Sequence, residues 1–302
     1  MEAHDDYLQR EPSTKDHKDV LRINADKLDE CVNFGTHLLT WCTLKLGNSN
    51  SHELTIIMLA RHVLESLDAV AVLFRQGSVN SSESILRSMF EATIGIEYIL
   101  RDDTRRRALA YQVTLQRQRL VTYRKLEHNF LNEENSKELR RRKLRKKLLE
   151  RSKKIRDKLE SPGTVEINSE WKRVKKAINR NPNWFTLFGG PRTIEQLAGQ
   201  LGYGEWYDVL YRNWSTGVHA TGTFNNIVPH GKGVIIVGLR SPRNLQTYSS
   251  IAISMTISVY RLIIKYFIPE MERELATWYL AEMQGWCLRL SSEEKLIRIV
   301  SE

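Results

Sequence analysis

The stretch Glu205-Trp-Tyr-Asp-Val-Leu-Tyr-Arg-Asn-Trp-Ser-Thr-Gly-Val-His219-Ala-Thr-Gly222 decides how the chain is read. Its apolar residues Trp206, Val209, Leu210, Trp214 and Val218 recur at helical intervals, which predicts an amphipathic helix with one buried stripe. Arg212, Ser215 and His219 follow at steps of three and four, so they share a face at 3.6 residues per turn. Gly217 and Gly222 place the end of that helix near His219. A polar trio at a helix end, set between large aromatics, is the strongest candidate site in the sequence.

Working outward, the same periodicity recurs over most of the chain. Residues 1–14 are polar and read as a flexible tail. Long amphipathic helices are expected over 15–46, 52–75 and 83–100, broken at Gly47-Asn-Ser-Asn-Ser51 and at Gln76-Gly-Ser-Val-Asn-Ser-Ser82. Residues 102–129 and 134–160 read as a helical hairpin, ended by Ser161-Pro-Gly-Thr. A short basic helix over 166–179 precedes a loop carrying Trp184, Phe185 and Phe188, after which Thr193 caps another short helix. Beyond the focal helix, residues 223–239 resemble a β-hairpin turning at Pro229-His-Gly-Lys-Gly, the one convincing strand signal. Residues 245–267 and 271–289 are the last long helices, parted at Pro269. The fold expected is all-α: one mainly helical domain, 1–302, with a projecting basic helical hairpin at 102–160 and a small β-hairpin.

Composition narrows the functional classes. An apolar share of 41% with 9% aromatic residues is globular, and sixteen glycines and seven prolines in 302 residues favour long helices. Cys31, Cys42 and Cys287 are odd in number and widely spaced, as buried thiols of a reducing compartment would be. No Cys-x-x-Cys or compact Cys/His cluster exists, so neither zinc nor any other metal or cofactor is expected. The acidic start lacks a signal-peptide pattern, and Arg261 and Lys265 interrupt the apolar run 251–268. That run is expected to be a buried helix with its basic residues at the surface. The expectation is a cytoplasmic protein without a membrane partner.

The net charge of +10 is concentrated. Twelve Lys or Arg residues lie between Arg140 and Lys158 against only Glu150 and Asp157, which equals the whole imbalance. Leu144, Leu148, Ile155 and Leu159 keep a narrow apolar seam inside this segment. It is expected to be a basic helix, either simply solvated or an electrostatic track for a phosphate backbone or an acidic partner. The backbone-contacting candidates are Arg140, Arg141, Arg142, Lys143, Arg145, Lys146, Lys147, Arg151, Lys153 and Lys154. Such contacts position a nucleic acid without reading its sequence.

Arg87 and Glu91 lie one turn apart in Leu-Arg87-Ser-Met-Phe-Glu91-Ala, and read either as a structural ion pair or with Glu91 orienting Arg212 or His219. Histidine can exchange a proton with a ribose 2′-hydroxyl near neutral pH, while arginine holds a phosphate as charge builds. Asn213 adds a neutral hydrogen-bonding group. With no metal-spaced carboxylate or histidine cluster, phosphodiester cleavage here would be metal-independent and confined to RNA. Seven residues of straight helix put about 10 Å of rise between Arg212 and His219, which a bend at Gly217 or a second subunit would relieve.

Arg212-Asn213-x5-His219 resembles the Arg-x4–6-His signature of the HEPN superfamily, all-helical proteins that include dimeric, metal-independent ribonucleases of toxin–antitoxin and phage-defence systems. Leu86-Arg87-Ser-Met-Phe-Glu91-Ala with Trp214-Ser215-x3-His219 also resembles a bacterial helical family of unknown function, over residues 50–270. The first resemblance implies that Arg212 and His219 are catalytic and Asn213 supporting. Arg87, Glu91 and Ser215 match the second, which assigns them no role. The resulting expectation is a homodimeric or larger endoribonuclease, acting on RNA and working with an antitoxin or defence-system partner. The alternatives are a non-catalytic nucleic-acid- or protein-binding module and a nucleotide or anion sensor using Arg87, Arg212 and His219.

Overall fold

A computed structural model describes residues 15–46, 51–132, 138–218 and 223–291. Among the described residues the chain is all-α with one two-stranded sheet, and it divides into two compact units. One comprises Ile56–Leu100 with the described parts of Met1–Asn50 and Ala198–Glu302; the other comprises Ser51–Thr55 and Arg101–Leu197.

The first unit begins with α1 (Lys15–Lys45), followed by most of α2 (Ser51–Arg75) and α3 (Glu83–Arg101). Their bounds fall within a residue or two of the hydrophobic pattern, as expected when one face of each helix is buried. The helix α10 (Leu245–Phe267) packs along α1 and buries thirteen of its residues. By length and composition α10 is apolar enough to cross a membrane; half of the relevant window is buried in this unit, and Arg261 and Lys265 reach the surface. Polar groups at this seam are satisfied internally. Tyr260 Oη donates to the Cys31 carbonyl at 2.5 Å, and Ser249 Oγ donates to Asn24 Oδ1 at 2.7 Å, both in the buried interior. Cys31 and Cys42 are buried, and burial raises both thiols well above their ordinary range, to about 12 for Cys42. The last helix is divided. Glu272–Trp278 (α11) and Gln284–Ser291 (α12) flank a π-turn, Tyr279–Met283.

In the second unit α4 (Thr104–Asn132) and α5 (Glu138–Leu159) form the expected hairpin, and α6 (Val165–Ile178) packs on them. Residues 133–137, where the turn was expected, lie outside the described residues. Leu109, Val113 and Leu120 of α4 cluster with Ile155 and Leu159 of α5 and with Ile167, Trp171 and Val174 of α6. Arg117 donates to the fully buried Asn168 through Nε at 2.8 Å, and Asn168 donates on to Glu160 at 2.9 Å. A 3₁₀ turn, Trp184–Gly189, covers the cluster, and Thr193 Oγ1 accepts from the Gln196 amide at 3.1 Å as the cap of α7 (Ile194–Leu201).

The focal segment departs from a plain helix. A short α8 (Gly204–Trp206) leads into a π-turn, Tyr207–Tyr211, and then α9 (Arg212–Val218). The Arg212 amide donates to the Tyr207 carbonyl, one residue farther back than in an α-helix. That extra residue turns the following face by about 100°. Val209, expected in the buried stripe, is therefore 60% exposed, while Tyr211 and Trp214 are buried. The hairpin also differs at its start. Thr223–Asn226 is a 3₁₀ turn, and the strands are the shorter β1 (Ile227–His230) and β2 (Gly233–Ile236). The Asn225-Asn226 pair favours that turn over extension.

Candidate functional site

The π-turn organises the polar site of the first unit. Because Tyr207 and Tyr211 fall within it, their rings stack at 4.9 Å with an interplanar angle of 20°. The Arg87 guanidinium of α3 lies 4.4 Å from the Tyr211 ring centre, and that of Arg212 lies 5.3 Å from the Tyr207 ring centre. Two tyrosines are thus stacked with an arginine against each. Phe90 of α3 packs on Tyr211 at 5.8 Å and fixes the inner ring.

Hydrogen bonds lock the same array. Arg87 Nη2 donates to Tyr211 Oη at 2.8 Å, and Tyr211 Oη donates to Glu91 Oε1 at 2.7 Å. The expected Arg87–Glu91 pair is present at 3.5 Å, with Tyr211 completing a triangle. Burial raises the Tyr211 phenol to about 12, with Glu91 adding to the rise and Arg87 opposing it. Tyr211 is the residue the sequence reading missed. Its period marked it as one aromatic among many, and its partners lie more than a hundred residues away. Two more phenols donate to glutamates of α3: Tyr203 to Glu97 at 2.7 Å and Tyr248 to Glu83 at 2.5 Å.

Arg212 and Asn213 lie on the exposed side. The Arg212 Nε donates to Asp208 Oδ1 at 2.9 Å, so the carboxylate against Arg212 is Asp208, one turn before it, while Glu91 holds Tyr211. The Asp208–Arg212 spacing of four was legible in the sequence as a helical ion pair. Asn213 Nδ2 donates to the Val209 carbonyl at 2.6 Å, and Ser215 Oγ donates to the Tyr211 carbonyl at 2.8 Å. Both side chains thus donate back to carbonyls of the π-turn one helical turn earlier. His219 lies outside the described residues. Among the described residues no three His, Cys, Asp or Glu side chains gather as a metal ion would require.

The second unit carries the basic face. It holds 27 Lys and Arg against 13 Asp and Glu, a formal +14, while the first holds 19 against 23, a formal −4. On α5 the apolar seam is as expected: Leu148, Ile155 and Leu159 are buried, with Ser152 beside them and Leu144 partly covered. Lys143, Lys146, Lys147, Arg151, Lys153 and Lys154 are exposed, and Arg145 pairs with Glu127 of α4 at 3.3 Å. The side chains of Arg140, Arg141 and Arg142 lie outside the described set. At 100° per residue, Lys143, Lys147, Lys154 and Lys158 fall within about 60° of arc and run along about 22 Å of helix.

The model of a family of unknown function, DUF5677, matches residues 53–232, more than half of the chain. The match spans Arg87 and Glu91, the basic helix, the π-turn, Arg212 and His219. No curated protein and no solved structure matches.

Proposed function

We propose that this chain, a member of the DUF5677 family, binds RNA by the phosphate backbone through α5. The observation that carries this reading is the charge partition, +14 in the unit of α5 against −4 in the other, with a cationic stripe facing water along α5. Such a stripe releases counterions from a polyanion, so affinity rests on salt and on the number of phosphates neutralised more than on base sequence.

A second step is supported by the polar array of the first unit. Arg212 follows a π-turn, a feature common at functional sites, and is exposed with Asp208 and a tyrosine ring orienting it. In the HEPN-like reading Arg212 steadies a scissile phosphate and His219 exchanges the 2′-hydroxyl proton, with Asn213 and Ser215 supporting the helix end. Cleavage then needs no metal and leaves a 2′,3′-cyclic phosphate.

The test uses the full chain. Combining Lys143→Gln, Lys147→Gln, Lys154→Gln and Lys158→Gln should flatten the plot of log affinity against log salt by about 0.7 for each phosphate that is no longer neutralised. An unchanged slope removes α5 from the RNA-binding reading. RNA incubated in excess EDTA with wild type, His219→Ala and Arg212→Ala separates the second step. Cleavage by wild type alone supports it; binding with no cleavage by any of the three leaves a non-catalytic binding protein.

A further inference from the structure

We infer that β2 is a pairing edge for a second copy of this chain, giving a two-fold, four-stranded antiparallel sheet in the order β1-β2-β2-β1. The inference goes beyond the RNA reading and does not depend on it.

The hairpin exposes an unusual amount of apolar surface. Phe224, Ile227, Val234, Ile235, Ile236 and Leu239 are between 40% and 79% exposed, and they lie on both faces of the sheet and at its base. Summed over the two faces and the base, their exposed area is roughly 700 Å², a large apolar surface for so short a hairpin to leave in water. A two-stranded hairpin alone is also marginal in water, and further strands added at its edge would stabilise it.

Register says which edge is available. The two-residue turn Gly231-Lys232 makes His230 and Gly233 the closing hydrogen-bonded pair, and alternation then makes Pro229–Val234 and Ile227–Ile236 non-hydrogen-bonded pairs. The Val237 amide donating to the Asn226 carbonyl at 2.7 Å fits that alternation. The N–H and C=O groups of Val234 and Ile236 therefore point away from β1, to the edge of β2 that pairs with no other strand among the described residues. On the free edge of β1 the corresponding groups belong to Ile227 and Pro229, and Pro229 has no N–H to offer.

The chemistry of this edge fits a second copy. Gly233-Val-Ile-Ile-Val-Gly238 has no charged residue, so two such strands meet without opposing like charges. A two-fold axis through Ile235 sets Val234 against Ile236 of the partner subunit, with each pair exchanging two backbone hydrogen bonds. Pro229 blocks continuation at the outer edges, so the sheet closes at two copies instead of growing.

Size-exclusion chromatography with light scattering on the full chain should give twice the 35.2 kDa monomer mass. Ile236→Lys, at a residue already exposed, should return the monomer with an unchanged helical circular dichroism spectrum. Ile235→Cys should form a disulfide-linked dimer under mild oxidation. Its two-fold mate lies at a non-hydrogen-bonded position, where Cα atoms are about 4.5 Å apart and a disulfide fits. Lys232→Cys, displaced from its mate by roughly 20 Å along the strands, should not cross-link beyond the wild-type background. A monomeric wild type overturns the proposal and leaves the edge to a strand of another protein. A dimer that survives Ile236→Lys with no cross-link at position 235 overturns it and puts the interface elsewhere.

Discussion

Tyr211 connects the chemistry of α3 to that of α9. Its ring bears on Arg87 and Tyr207, and its hydroxyl takes a hydrogen bond from Arg87 while giving one to Glu91. Tyr211→Phe keeps the ring and removes both bonds, so a loss of about 1 kcal/mol is expected, because Arg87 and Glu91 still reach each other and water. The pH dependence follows from the raised phenol, held at about 12 in the fold chiefly by burial, against about 10 in the unfolded chain. Between those values the unfolded state has released its proton and the folded state has not. This contribution is therefore complete below about pH 10 and falls away as pH rises toward 12. Urea unfolding at about pH 8 and about pH 11 should show a smaller loss for Tyr211→Phe than for wild type. Equal losses would mean that Tyr203, Tyr248 and Tyr260, whose phenols are also raised, account for the alkaline slope.

Among the elements, α1 and α10 are fitted closely at one point. A side chain at Gly35 would run into the hydroxyl of Tyr260 and the tip of Leu64, and Tyr260 is held there by its bond to the Cys31 carbonyl. Gly35→Ala improves helix propensity by about 1 kcal/mol, but overpacking at a rigid aromatic costs about 1–3 kcal/mol. The variant should be less stable than wild type by urea midpoint, contrary to propensity, and a more stable variant would show that α10 can shift. The span of α10 was legible because its apolar residues keep a 3.6 period from Leu245 to Phe267. The basic helix was legible from Leu148, Ile155 and Leu159 for the same reason. The π-turns were not, since a single extra residue breaks the period only locally and Tyr207-Asp-Val-Leu-Tyr211 carries no glycine or proline to mark it. The stacked tyrosines and the exposure of Val209 went unread with it. The hairpin turn was legible from Pro229-His-Gly-Lys-Gly, whereas the exposure of Val234 and Ile236 depends on what the rest of the chain leaves uncovered.

At the scale of the whole molecule the charges are sorted, not balanced, and that has a thermodynamic consequence apart from any ligand. A formal +14 within one compact unit repels itself, and neighbouring exposed lysines of α5 stand one or two turns apart, about 5–11 Å of rise and so comparable with the roughly 10 Å screening length of 0.1 M salt. Raising sodium chloride from about 0.05 M to about 0.3 M should therefore raise the thermal midpoint, by screening repulsion more than it weakens the scattered pairs such as Arg145–Glu127. The four-glutamine variant of α5 should lose most of that salt dependence. A polyanion such as heparin should raise the wild-type midpoint further at low salt, because it binds the folded stripe and adds stability by mass action. Its effect should fade as salt competes for the same lysines. Differential scanning calorimetry of the two proteins, with and without heparin, separates these contributions. A midpoint indifferent to salt would mean that carboxylates of the same unit already neutralise the stripe, and α5 would then have little charge left with which to hold a phosphate backbone.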